Sequence, residues 1–154
     1  MGRSKRKPSG MCPYETRYKK PDGRADTFVR FSVSLHLSEA FQSLKNRQKM
    51  LLISMMQQKT GYRKPSQEIA EDSPYYDKVK GEYCFFFPYR TAIEFCPEYT
   101  NNHSRLYSDI KVLIDRGFIE VVYSGKTSKT KSVYRYSEKW KSWKTAESAR
   151  SKET

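Results

Sequence analysis

The chain has 154 residues, enough for one domain with a core of its own and too few for two, and its 30 Lys and Arg outweigh 17 Asp and Glu to give a net charge of +13. Hydrophobic residues make up only 36% but aromatics reach 14%, which suits a core built largely from Tyr and Phe and argues against wholesale disorder. An excess of this size favours polyanionic partners, nucleic acid before anionic membrane.

The excess is uneven. Residues 1–24 hold eight basic and two acidic groups, residues 124–154 nine and three, and the stretch between them thirteen and twelve, so a near-neutral globule is expected between basic ends. No apolar run reaches the roughly 18 residues that span a bilayer; "MLLISMM" at 50–56 is far shorter. The basic N-terminus lacks the apolar segment of a secretory signal. Cys12, Cys84 and Cys96 are odd in number and irregularly spaced, the usage expected of reduced thiols in a cytoplasmic protein, nucleoid-associated if the cell is prokaryotic.

In chain order, residues 1–26 mix Pro, Gly and positive charge without apolar periodicity and read as a flexible basic arm, ahead of a domain over 27–143. "TFVRFSVSLHL" alternates apolar and polar residues, the pattern of a strand or an extended lead-in. Ser38 is placed to cap a short helix "EAFQSL". Asn46 can cap a second helix that runs through "RQKMLLISMMQQKTG" to Gly61, its buried face expected from Met50, Leu52, Ile53 and Met55 or Met56. Residues 62–82 are polar, hold two prolines and form an insertion.

"YCFFFP" then predicts a short buried strand, with Pro88 in the first turn of a helix over 89–95 that ends at Cys96-Pro97. After the polar turn "PEYTNN", Leu106, Ile110, Leu113 and Ile114 form the apolar stripe of a helix over about 102–116, with Gly117 as its C-cap. "FIEVVY" and "SVYRY", joined by "SGKTSKTK", predict a hairpin with a long tip. Trp140 and Trp143 fall on one face of a final helical turn and are expected to cover the core, with base stacking or a homodimer contact as alternatives; residues 144–154 are a polar tail.

The order helix, strand, helix, turn, helix, hairpin is densest in "FFFPYRTAIEF", "NNHSRLYSDIKVLIDRGFIEVV" and "SVYRY". It resembles the winged helix-turn-helix DNA-binding superfamily, in particular the small replication-initiator-like and regulator-like proteins of plasmids, phages and other mobile elements. The resemblance covers about 38–136. It implies an α+β fold, mostly helical, with a small antiparallel sheet and a two-stranded wing. Residues 89–95 would be the first helix of the helix-turn-helix, 96–101 the turn, 102–116 the recognition helix, and 118–123 and 132–136 the wing strands. The turn is longer and more polar than that of simple members.

With the apolar stripe facing inward, 100° per residue places Asn101, Ser104, Ser108, Lys111 and Asp115 on the opposite face and Arg105 at its edge. Asn101, Asn102 and Arg105 suit base edges, since Asn pairs with adenine and Arg with guanine in the major groove. Asp109 and Asp115 would repel phosphate, so the C-terminal half of the helix is expected to point away from DNA. On the hairpin tip, Lys126, Lys129 and Lys131, interleaved with Thr127 and Thr130, offer cations and hydroxyls to phosphate oxygens.

Catalytic constellations are scarce. His36 and His103 form no metal-binding pair, and Cys84, Cys96 and His103 lack both finger spacing and a fourth ligand. There is no Gly-rich phosphate loop, and Glu68, Glu71, Asp72 and Asp77 sit in a polar segment without a scaffold. The expectation is a non-enzymatic, sequence-specific binder of double-stranded DNA, without cofactor or metal, in transcriptional regulation or replication initiation of a mobile element. The alternative is a protein-interaction adaptor of a replication or transcription complex that binds nucleic acid nonspecifically through basic tails, with RNA binding a third option.

Overall fold

The computed structural model describes residues 29–59, 84–124 and 132–146. The arm at 1–26, the insertion at 62–82 and the tip lysines Lys126, Lys129 and Lys131 with Thr127 lie outside the described residues. The helices are α1 (Val33–His36), α2 (Glu39–Gln42), α3 (Asn46–Met56), α4 (Tyr89–Phe95) and α5 (His103–Asp115). Short 3₁₀ turns occupy Gln57–Lys59, Pro97–Tyr99 and Lys139–Lys141. Strands β1 (Cys84–Phe86), β2 (Ile119–Tyr123) and β3 (Val133–Tyr136) form one antiparallel sheet in the order β1-β3-β2. The described chain is thus mixed helix and sheet, the α+β class expected from the sequence.

The first departure comes at "TFVRFSVSLHL". Among its described residues, 29–37, no strand forms; the Ser32 hydroxyl accepts from the Leu35 N–H at 3.2 Å and starts the single turn of α1. Leu35 is buried while Val33 and Leu37 are exposed. The alternating pattern has no neighbouring strand to pair with, and a serine cap decides the local conformation instead. Ser38 caps α2 as expected, accepting from Phe41 N–H at 3.2 Å.

Helix α3 begins one residue earlier than expected: Asn46 is its first residue, Lys45 is its N-cap, and the N–H of Lys45 donates to Gln48 Oε1 at 3.0 Å. Its buried side consists of Gln48, Leu51, Leu52, Ser54 and Met55, whereas Met50 is 51% exposed. Leu52 and Met55 are buried as expected and Ile53 is half-buried, but Met50 gives way to Gln48 and Ser54, polar residues on the inward stripe with their hydrogen bonds satisfied. Ser54 Oγ donates to the Met50 carbonyl at 2.7 Å, and Gln58 Nε2 donates to the Ser54 carbonyl at 3.0 Å. The helix ends at Met56, short of Gly61.

Strand β1 follows the expected course, and Pro88 stands at the N-cap of α4, one position before the first turn. Leu106, Ile110 and Leu113 of α5 are buried as expected, with Ile114 half-buried against the same core. Gly117 terminates α5 at φ +85, with its N–H bonded to the Ile114 carbonyl (3.0 Å) and that of Phe118 to the Leu113 carbonyl (3.1 Å). Both bonds satisfy carbonyls that the helix end would otherwise leave open.

In the hairpin, Val121 pairs with Tyr134 and Tyr123 with Val133, so Val122 is an extra residue that bends β2. Tyr136 Oη donates to the Met55 carbonyl at 2.6 Å and fastens the sheet to α3. Trp140 and Trp143 pack on the core, as expected, and the Trp140 N–H donates to the Gly117 carbonyl at 3.1 Å. Cys84 and Cys96 are buried thiols, and burial raises that of Cys96 above its ordinary value.

Glu120 on β2 takes a 2.7 Å bond from Arg135, its cross-strand partner, and a 2.8 Å bond from Lys139. These bonds, Lys139 first, hold its carboxyl down to about 2. A depressed carboxyl contributes stability that is complete above its unfolded value of about 4.3 and fades as pH falls through the folded value. Glu120→Gln should therefore cost about 1 kcal/mol at pH 7, and chemical unfolding should find it equal to the parent once pH falls below about 2.

Candidate nucleic-acid interface

The chain enters α5 through a tight polar turn. Asn101 takes a left-handed conformation, φ 58, which Asn tolerates better than most side chains. Asn102 is the N-cap: its Oδ1 accepts from the Arg105 N–H at 3.2 Å and from the Ser104 hydroxyl at 3.3 Å. The turn is pinned by Tyr89 of α4. Its hydroxyl donates to the Tyr99 carbonyl (3.0 Å) and accepts from the Asn101 N–H (2.7 Å), while its ring stacks on His103 with centroids 3.6 Å apart. The first turns of α4 and α5 thus lie side by side.

From that turn α5 presents an unbroken exposed face. Asn101, Ser104, Arg105, Ser108 and Lys111 are exposed as expected, Asn102 is half-buried at the cap, and Asp115 is exposed in the last turn. Arg90 of α4 is exposed beside Tyr89 and adds a cation that the sequence reading did not select.

Asp109 is the main correction. It does not stand among the groups of this face; one turn beyond Arg105 it points inward beside Ile110 and is 2% exposed. Arg47 of α3 grips it with Nε at 2.5 Å and Nη2 at 3.1 Å, Gln48 Nε2 donates at 3.0 Å, and Tyr99 Oη at 2.7 Å. Burial opposes its charge, but the bonds from Arg47, Gln48 and Tyr99 outweigh burial and hold the carboxyl below its usual range. The Tyr99 phenol, buried and bonded to the carboxylate, is pushed far above its ordinary value and stays a donor. A satisfied buried network of this kind fixes orientation as well as position. It joins α3, the Pro97–Tyr99 turn and α5 behind the exposed face, whose described charges are then Arg105 and Lys111 against Asp115.

The sequence could not reveal this network, because Arg47 and Asp109 are 62 residues apart and each reads as surface charge. The one available signal was that Asp109 falls three residues after Leu106 and one before Ile110, on the apolar stripe itself. Tyr107 was missed for a different reason: an aromatic on an amphipathic helix reads as core, yet it is 62% exposed.

Among the described residues no group of three or more His, Cys, Asp or Glu is arranged to hold a metal ion, and no helix is long and apolar enough to cross a membrane. Comparison of the chain with protein-family models, curated proteins and solved structures gives no match.

Proposed function

We propose that the chain binds double-stranded DNA sequence-specifically as a winged helix-turn-helix protein, serving transcriptional regulation or replication initiation of a mobile element. The observation that carries this reading is the exposed face of α5, polar and basic from Ser104 to Lys111, held from behind by the Asp109 network. Polar side chains on a rigid helix are what base edges in a major groove require. The sheet order β1-β3-β2, with β1 paired to the second strand of the hairpin, supports the winged arrangement, as does the element order around it. The net charge of +13 supplies the sequence-independent attraction that brings such a helix to a duplex.

A salt series on preferred duplex, random duplex and single-stranded RNA tests the reading. Arg105→Ala should cost about 1–3 kcal/mol on the preferred duplex and little on random DNA. Lys126→Ala and Lys129→Ala should weaken all duplexes alike and lower the salt slope by about 1 each. Equal losses from Arg105→Ala on every nucleic acid would rule the reading out.

One observation favours the adaptor reading. A groove of about 520 Å³ is lined by Leu37, Trp140 and Trp143 together with Glu39, Lys141 and Lys144. Apolar groups around a groove suit an anchoring side chain of a partner protein or of a second copy. Leu37→Ser that abolishes a partner complex while leaving duplex binding intact would separate this surface from the α5 face.

A further inference from the structure

Among the described residues the two most exposed large apolar side chains belong to α1: Val33 is 73% exposed and Leu37, the C-cap, 67%. The Leu37 N–H donates to the Val33 carbonyl at 2.9 Å, so the two side chains stand one turn apart on the same flank. Leu37 also lines the groove that Trp140 and Trp143 share. That lining is firm: the Trp140 N–H is bonded to the Gly117 carbonyl at 3.1 Å, its ring stacks on Phe118, and the Arg116 guanidinium lies 4.6 Å from the centre of the Trp143 ring. The charges beside it are balanced. Lys144 pairs with Glu39 at 3.5 Å and Lys141 with Glu138 at 3.2 Å, in a chain whose net charge is +13.

Two lysines and two glutamates leave this rim without net charge, so it holds no surplus for a polyanion or an acidic peptide to neutralise. Two copies of so basic a chain repel each other over most of their surface, and a neutral patch is where they approach at least cost. The patch also carries both halves of a contact: a projecting Leu37 and an apolar groove, a lysine and a glutamate. A two-fold interface requires just that, because one surface meets itself and residue i touches j while j touches i. We infer that this patch is a self-association surface. Leu37 of one copy enters the groove of the other against Trp140 and Trp143, and Lys144 of each copy faces Glu39 of the other. The groove adjoins the C-terminal end of α5, where Arg116 holds Trp143 roughly 16 Å along the axis from Arg105, so paired copies leave the polar face of α5 open. Such pairing needs no duplex and stands apart from the DNA-binding reading.

Sedimentation equilibrium of the full chain without nucleic acid, from about 1 μM to about 1 mM, should show a reversible monomer–dimer equilibrium. Leu37→Ser should raise the dimer dissociation constant about a hundred-fold, roughly ten-fold for each of the two anchors lost. Leu37 is exposed, so the substitution leaves the monomer's core untouched. Lys144→Glu makes the rim acidic and Glu39→Lys makes it basic; each alone should stay monomeric, and an equimolar mixture should pair at least as tightly as the parent. Recovery in the mixture would also show that both variants are folded. A parent chain that stays monomeric throughout the range overturns the inference and leaves the groove to the adaptor reading. A dimer indifferent to Leu37→Ser, or a mixture that fails to pair, overturns it as well.

Discussion

Asp109→Ala should lower the unfolding free energy by about 3–5 kcal/mol, the range found when one partner of a buried ion pair is removed. Alanine leaves the Arg47 guanidinium, the Gln48 amide and the Tyr99 hydroxyl pointing at a position with no acceptor, in a place that is 2% exposed. Urea unfolding followed by aromatic fluorescence measures the loss. At about 2–4 °C per kcal/mol for a chain of this length, the melting temperature should drop by more than about 6 °C. Asp109→Asn keeps the volume and one acceptor oxygen, and should lose less. A loss under about 1 kcal/mol in the alanine variant would mean that water reaches the carboxylate and that the network does not orient α5.

The same group sets a pH dependence whose sign follows from its depressed carboxyl. Its contribution is complete above the unfolded value of about 3.9 and is lost as pH falls through the lower folded value. The stability gap between parent and Asp109→Ala should hold from neutral pH to about pH 4 and narrow below it.

Gly117→Ala should cost about 2–6 kcal/mol for two separate reasons. At φ +85 an L side chain is held in a sparsely populated region, at about 1–3 kcal/mol. Its Cβ would also stand 2.6 Å from the backbone nitrogen of Trp140 and 2.7 Å from the carbonyl carbon of Lys139. Trp140 cannot retreat cheaply, since its N–H is bonded to the Gly117 carbonyl and its ring stacks on Phe118 at 6.4 Å. Overpacking of that kind adds about 1–3 kcal/mol. Thermal unfolding, together with the near-ultraviolet circular dichroism of the tryptophans, would register both the lost stability and a displaced Trp140. An unchanged tryptophan spectrum with a loss under about 1 kcal/mol would mean that the 117–140 contact gives way without cost.

These two residues also mark how far the sequence could be read. Gly117 was legible because a glycine after an apolar stripe is a local signal, and local signals likewise located β1, α4, α5 and the hairpin to within a residue or two. What misled were segments decided by distant neighbours. The alternation over 28–37 suggested a strand, but strand formation needs an edge to pair with, and Ser32 offered a cap instead. Met50 looked like core and Gln48 like surface; the reverse holds because Gln48 finds Asp109 across 61 residues. For the candidate site, the exposed positions of α5 followed from helical spacing alone. The hydrogen bonds that lock its rear depended on tertiary contacts that no periodicity encodes.

The bond between Arg47 and Asp109 also bears on which piece of the chain can be cut out and still fold. A fragment starting at β1 would hold α4, α5 and the whole sheet, yet it would strand a carboxylate without its cation and strip Leu106 and Ile110 of Leu51, Leu52 and Met55, their companions in one core. The smallest autonomous unit must therefore reach back through α3, whose side chains complete the core and the buried ion pair that α5 needs.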